Sequence, residues 1–400
     1  MIRLAKRLQT LPPYLFARID AAAAEAAAKG LKIVKMGIGD PDRDPPEWIR
    51  EILAEEVMKS GNHRYPSYKG NPKLWDAVIN FMDRRFGVKG LGHENICTTI
   101  GSKEGLANLV TALLNPNDYF IAPDPSYPVF VTMARLAGAR QISLPVYPGN
   151  NFMPDLHRDI NEHQARCSRV MYVNYPHNPT GQVATREYLK SVVDFALEHN
   201  IILISDLAYS EIYYDEENRP PSLFEFEGAM DCAIEFHSFS KSFNMTGWRC
   251  GFTVGNADIV KGLSTVKSNV DSGVFNPIQL TMARVLNDAE RCDKFLVDNR
   301  AHYKKRLNKI CSALDEMGVT YHRPGASIFV WCDLPKGEHD AFAFCGRLLN
   351  EMGLVVSPGA AYGDYGEGFF RVSLSTPDET IDEALSLLAQ FIKKEASAAK

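Results

Sequence analysis

The hexapeptide Ile201-Ile-Leu-Ile-Ser-Asp206 carries apolar residues in succession, without the alternation of a strand that has one wet face. Such a strand must be covered on both sides, which is the condition of the interior of a parallel sheet. The pattern recurs along the chain. Strands are predicted at 33–36, 96–100, 119–122, 141–144, 170–174, 201–206, 233–237 and 250–254, and helices at 14–29, 47–59, 72–86, 127–136 and 186–199. Short strands separated by helices predict an α/β fold, with a mostly parallel sheet between two helical layers.

At 400 residues the chain exceeds what one hydrophobic core usually serves. We expect a large domain over 46–288 and a small C-terminal α+β domain over 289–400, with residues 1–45 forming an N-terminal arm and part of the small domain. A long, highly charged helix over 290–317 leaves the large domain, followed by elements at 327–332, 341–352, 369–374 and 379–393. No internal repeat or long linker separates the parts, so they are expected to share a broad contact.

The balance of 44 Lys+Arg against 49 Asp+Glu, net −5 and without blocks of like charge, argues against a nucleic-acid or anionic-membrane partner. No apolar run approaches the roughly 18 residues of a membrane span, and the N-terminus lacks the apolar core of a secretion signal, so a cytoplasmic protein is expected. The eight cysteines are scattered, with no C-x-x-C pair. They read as reduced thiols, with no disulfide frame and no metal site.

Chemistry concentrates in Ser238-Phe-Ser-Lys-Ser-Phe-Asn-Met-Thr-Gly-Trp-Arg249-Cys-Gly251. On an extended chain the period-two rule puts Ser238 and Ser240 on one side. Lys241 follows, and Arg249 lies beyond a turn that Gly247 makes easy. Two hydroxyls, a lysine and an arginine predict a phosphate pocket beside an amine nucleophile. The same residues satisfy the S-x-x-K pattern of serine acyl-enzymes. Those enzymes need a K-T-G-like strand downstream, and the near match, Lys59-Ser-Gly61, lies upstream at a helix end.

Asn174-Tyr-Pro-His-Asn178-Pro-Thr-Gly181 follows an apolar strand, and Asp206 ends another, with Tyr209 three residues on. Carboxyl ends of strands in an open α/β sheet face the ligand crevice, where a carboxylate can hold a proton on a heterocyclic nitrogen. Read alone, these segments are also a turn and a helix cap. Gly101-Ser102-Lys103 precedes a helix and forms an anion site. Gly37-Ile-Gly39-Asp lacks the third glycine of a dinucleotide fingerprint, and no P-loop occurs.

In their order and spacing, these segments resemble the fold-type I pyridoxal-phosphate enzymes, specifically the class I/II aminotransferases. The resemblance runs from Gly37-Ile-Gly39-Asp-Pro-Asp42 through Tyr65-Pro-Ser-Tyr68, Tyr127, Asn178-Pro-Thr-Gly181 and Ser238-Phe-Ser-Lys241 to Phe370-Arg371-Val-Ser. Within that family, Gly61–Gly70, Asn269–Gln279 and Pro13-Tyr14-Leu-Phe-Ala resemble LL-diaminopimelate aminotransferases, of the bacterial or archaeal variety.

The resemblance implies a large domain and a smaller α+β domain, pyridoxal 5'-phosphate as cofactor, and amino-acid and 2-oxo-acid substrates. Lys241 would carry the cofactor and then act as the base at the substrate Cα. Asp206 would keep the pyridine nitrogen protonated, Asn178 and Tyr209 would bond the phenolic oxygen, and Tyr127 would stack on the ring. Ser102, Ser238, Ser240 and Arg249 would cradle the phosphate, with the Lys103 backbone nearby. Tyr65 would reach over from the neighbouring subunit of a homodimer. Arg371 would clamp the substrate α-carboxylate beside Gly39, with Tyr14, Lys103, Tyr127, Asn178 and Asn276 as further substrate contacts.

The implied reaction passes the amino group of LL-2,6-diaminopimelate to 2-oxoglutarate, and in the biosynthetic direction makes the diaminopimelate from tetrahydrodipicolinate and glutamate, on the route to lysine. The alternatives are a broader alanine, aspartate or aromatic aminotransferase and, from another class, a non-catalytic regulator that keeps the fold. The presence of Lys241, Asp206, Arg249 and Arg371 together, with no appended DNA-binding domain, disfavours the regulator.

Overall fold

The computed structural model describes residues 2–9, 11 and 15–398. Its seven-stranded sheet runs, in spatial order, Ile96–Thr99, Gly251–Gly255, Ala233–Ser238, Ile202–Asp206, Ser168–Val173, Tyr119–Asp124 and Arg140–Pro145. All pairings are parallel except the two made by Gly251–Gly255, which is antiparallel to both neighbours. The mostly parallel sheet expected from the sequence is thus present.

Its strands are apolar on both faces because both faces are covered. Ile121, Met171, Val173 and Leu203 pack with Leu189, Val192 and Phe195 of the helix Arg186–Glu198. Their neighbours Phe120, Val170, Tyr172 and Ile204 pack against Leu106, Leu109 and Leu263 of the helices Ser102–Leu113 and Ala257–Val270. Successive side chains of a strand point to opposite faces, so one apolar run feeds two cores. The helix ends follow local chemistry. Asn71 Oδ1 accepts from Lys73 N at 3.0 Å ahead of the helix Pro72–Phe86, and Gly87 closes it in the left-handed region at φ 68°.

Two helices of more than ten residues escaped the sequence reading, Ala257–Val270 and Asn276–Asn287. The segment 269–279, taken as a motif, holds the end of the first, a loop, and the start of the second. The first helix begins where Asn256 Oδ1 accepts from Asp258 N and Ile259 N, and Pro277 stands in the first turn of the second.

A second sheet is antiparallel, in the order Ser357–Pro358, Phe369–Ser373, Phe329–Asp333 and Tyr321–His322. It shares a core with the helices Ala289–Met317, Ala341–Met352 and Asp378–Ala398. Val34–Lys35 pairs in parallel with Leu354–Val355, and Ala23 and Ala26 of the helix Leu15–Ala28 pack on Leu349 and Val355, so the N-terminal segment is tied to the C-terminal third. All eight cysteines are free thiols. Among the described residues, no group of three or more His, Cys, Asp or Glu could hold a metal ion, and no helix is long and apolar enough to cross a membrane.

Candidate active site

Sheet register brings six segments to one edge. Gly251 stands opposite Thr99 on one side and Ser238 on the other. Because its strand runs the other way, its beginning lies beside its neighbours' ends. Arg249 therefore meets the Ile100–Gly101 turn ahead of Ser102, and Ser240 just beyond Ser238. Asp206 ends the next strand, and Asn174 and Tyr127 follow the ends of the two beyond it, on the same edge. This is where an open α/β sheet binds ligands.

A cleft of about 350 Å³ opens there. Its walls include Gly39, Ser102, Lys103, Tyr127, Asn178, Asp206, Tyr209, Ser238, Ser240, Lys241, Arg249 and Arg371, twelve of the fifteen residues expected at the site. Three are not among them. Tyr65 is 87% exposed, Asn276 opens a helix outside the cleft, and Tyr14 lies outside the described residues.

At one end of the cleft the groups are hydroxyls, amides and a guanidinium. Ser102 starts a 12-residue helix, whose first N–H groups carry positive partial charge. Arg249 Nη1 donates to Thr246 O at 2.7 Å and to Ser240 Oγ at 3.5 Å, and Nη2 donates to Ile100 O at 3.3 Å. Only glycine allows that approach at 101, where φ is +76° and a Cβ would lie 2.5 Å from Arg249 Nη2. The two serines converge, but not as an extended pair. Ser238 ends its strand and caps the short helix Phe239–Ser242, with Ser238 Oγ accepting from Ser240 N at 3.2 Å. The period-two argument is corrected: a strand-to-helix turn aligns the hydroxyls.

Lys241 Nζ donates to Gly39 O at 2.6 Å. The residue keeps a face on the cleft while its amine is shut away from bulk water, and burial lowers its pKa to about 8. A neutral, nucleophilic amine is accordingly within reach near neutrality. Asp206 sits on the cleft floor. Its Oδ2 accepts from Tyr172 Oη at 3.2 Å, its backbone O accepts from Asn174 Nδ2 at 2.6 Å, and burial raises its pKa to about 6.

Arg371 comes from the second sheet, mid-strand opposite Trp331 and Ser357, and is buried. Nη1 donates to Asn178 Oδ1 and Nη2 to Gly37 O, each at 2.8 Å. Its guanidinium carbon lies 3.6 Å from the centre of the Phe329 ring. The segment 37–42 is strapped in place. Thr246 Oγ1 donates to Asp40 at 2.7 Å, and the buried Arg306 pairs with both oxygens of Asp42 at 2.7 and 2.8 Å.

Asn174, Thr246 and Phe329 also line the cleft and were not singled out. Asn174 was legible as the start of the Asn-Tyr-Pro-His-Asn loop. Its Oδ1 accepts from Asn178 N at 3.0 Å and shapes that turn. Phe329 carried no local signal, since its place depends on the packing of the second sheet.

Three buried polar atoms on cleft residues lack a hydrogen-bond partner: Ser102 Oγ, Asp206 Oδ1 and Arg371 Nε. Buried polar groups are rarely left so unless a ligand completes them. An anion for the hydroxyl, a protonated nitrogen for the carboxylate and a carboxylate for the guanidinium describe such a ligand.

Residues 32–388 match the family Aminotransferase class I and II. The chain is 44% identical over 388 residues to the LL-diaminopimelate aminotransferase of Oleidesulfovibrio alaskensis, covering 97% of this chain and 99% of that protein. It is 42% identical to the LL-diaminopimelate aminotransferase of Gloeobacter violaceus, over 96% of this chain and 97% of that one. Among solved structures it resembles substrate-bound BacF from Bacillus subtilis, with a TM-score of 0.91 and 30% identity over 98% of each chain. Aspartate aminotransferase from Thermus thermophilus with maleate gives a TM-score of 0.89 at 28% identity, over 98% of this chain and all of that one. Sequence, fold and cleft thus lead to one family, and the chain belongs to the class I and II aminotransferases.

Proposed function

We propose that this enzyme moves an amino group between LL-2,6-diaminopimelate and 2-oxoglutarate, forming the diaminopimelate from tetrahydrodipicolinate and glutamate in the biosynthetic direction. The observation that carries the substrate is full-length identity of 41–44% to proteins named LL-diaminopimelate aminotransferase. The cofactor is pyridoxal phosphate, and the orphaned atoms of Ser102 and Asp206 fit its phosphate and ring nitrogen. Bound there, it supplies an aldehyde that takes up the amino group and a protonated ring that withdraws electrons from the substrate Cα.

The chain's own groups do the rest. Ser102, Ser238, Ser240 and Arg249 hold the phosphate, with the backbone at Lys103. Asp206 would hold a proton on the ring nitrogen, Asn178 and Tyr209 would bond the phenolic oxygen, and Tyr127 would lie against the ring. Lys241 Nζ, neutral when it acts, would hold the cofactor and then move the proton from the substrate Cα. Arg371 receives the substrate α-carboxylate as a two-toothed fork beside Gly39. Residues 46–288 act as the domain that grips the cofactor, and 289–400 with part of 1–45 as the domain that grips the substrate.

We also infer a homodimer. Met58, Tyr65, Tyr68, Val270 and Phe275 are 84%, 87%, 53%, 65% and 44% exposed, an unusual set of apolar side chains left in water. A second copy covering them would let Tyr65 reach the partner's phosphate and Asn276 its substrate. Equilibrium sedimentation should give twice the chain mass.

The substrate reading is tested by glutamate formation from 2-oxoglutarate with a panel of donors. LL-diaminopimelate should exceed alanine, aspartate and tyrosine by about tenfold or more in kcat/KM, the discrimination a few specific polar contacts provide. A better rate with another donor overturns the substrate and leaves the aminotransferase.

A further inference from the structure

Lys267, in the helix Ala257–Val270, is fully buried and has no part in the chemistry described above. Its ammonium donates to Asp271 Oδ1 and Oδ2 at 2.9 and 2.8 Å and to Glu104 Oε2 at 3.3 Å. Glu104 is the third residue of the helix that begins at Ser102. Its Oε2 accepts from Ile100 N at 2.7 Å, and Oε1 accepts from Asn108 Nδ2. The carbonyl of the same Ile100 accepts from Arg249 Nη2. One carboxylate therefore pins the loop Ile100–Gly101–Ser102 directly behind the anion-binding end of the cleft.

That arrangement holds a contradiction. A site for a dianion is built on a turn whose third residue is a partly buried carboxylate, and like charges in a low-dielectric surrounding repel strongly. Arg249 alone would spend much of its attraction offsetting Glu104. Lys267 resolves this by placing a buried positive charge on Oε2, the same carboxylate oxygen that holds Ile100 N. Asp271 shares that charge and, through Oδ1, accepts from Gly273 N at 2.6 Å. Gly273 in turn lies so close to the 61–70 segment that a Cβ there would sit 2.6 Å from Ser67 O.

We propose that Lys267 is a positioning residue for the phosphate cup: it offsets the charge of Glu104, so that a carboxylate can brace the cup loop with less repulsion of the ligand. The inference rests on reading Ser102, Ser238, Ser240 and Arg249 as that cup.

The test is calorimetric titration of the full-length apoprotein with inorganic phosphate, and a parallel titration with pyridoxal phosphate. Lys267→Met should weaken both by about tenfold or more, the scale of one uncompensated charge near the site. Lys267→Arg, which keeps the charge, should stay within about threefold of the original protein. The decisive variant is the double replacement Lys267→Met with Glu104→Gln. It removes the Glu104 charge that Lys267 no longer offsets and should regain affinity to within about threefold, whereas a merely structural role predicts further loss. Original affinity in a folded Lys267→Met protein, or a double variant as weak as the single one, overturns the proposal. Should Lys267→Met not fold, the Arg variant and the double variant carry the test alone, and a tenfold loss in the double overturns it. If the unaltered protein binds pyridoxal phosphate but not inorganic phosphate, the cup reading itself fails, and this inference with it.

Discussion

Arg371 Nη1 donates to Asn178 Oδ1 across 2.8 Å, so a residue of the antiparallel sheet is bonded to the loop that follows a strand of the parallel one. The same guanidinium lies on the Phe329 ring and bonds Gly37 O, leaving Nε as its unpartnered edge. Its orientation is fixed before substrate arrives, which lowers the ordering cost of binding a carboxylate.

Replacing Arg371 by Lys keeps the charge and loses the planar fork, the ring contact and at least one of the two hydrogen bonds. A fall in kcat/KM of about a hundredfold or more is expected, mostly through KM for the amino acid. Steady-state rates with both substrates varied decide it. Unchanged kcat/KM would remove Arg371 from the carboxylate site.

Lys241→Ala should abolish turnover while still binding pyridoxal phosphate without covalent attachment. Borohydride reduction followed by peptide mass spectrometry should find the adduct at Lys241 in the original enzyme and none in the variant. The amine also leaves a signature in stability. Its pKa in the folded chain, about 8, lies below the ordinary 10.5, so the unfolded chain holds the proton more tightly between those values. Apoprotein stability should therefore rise with pH across that window. Lys241→Met should be the more stable apoprotein at pH 7, with the difference shrinking as pH approaches 10.5.

Asp206 has the opposite sign. Its folded pKa of about 6 lies above the ordinary 3.8, so the folded chain holds the proton more tightly, and its contribution to stability is lost as pH rises from 3.8 to 6. Asp206→Asn should melt higher than the original apoprotein at pH 7.5 and lose about a thousandfold in kcat, the scale of removing a charge that supports the reacting ring. Melting curves and single-turnover rates on the same preparations test both halves.

Gly39→Ala should act at a distance from its own atoms. A Cβ there would lie 2.4 Å from Phe329 Cζ, so the ring must move, and with it the surface on which Arg371 rests. Overpacking of this kind costs about 1–3 kcal/mol, and a rise of about tenfold in KM for the amino acid should accompany it. A KM within twofold of the original would show that the clamp does not need Phe329.

The sequence made the parallel sheet legible because doubly covered strands have no polar alternation, and it made the cleft legible because strand ends there carry Asn, Asp, Ser and Lys at short spacing. The two helices after Gly255 were hidden for a related reason. Lys267, a charge on a face that packs inward, breaks the amphipathic pattern of the first. Ser238 and Ser240 both line the cleft although the extended-strand argument assumed the wrong backbone, since residues two apart can also share a side across a capped helical turn. Phe329 and Thr246 were invisible because their partners lie 42 and 206 residues away, at Arg371 and Asp40.

Gly251, paired with Thr99 and Ser238 at once, ties three walls of the hydroxyl-rich end of the cleft to the seven-stranded sheet, while the Arg371 end hangs from a separate sheet. The site is a vice with one fixed jaw and one adjustable jaw. A small shift of the second sheet would therefore move Arg371 relative to Lys241 while the residues on the seven-stranded sheet keep their spacing.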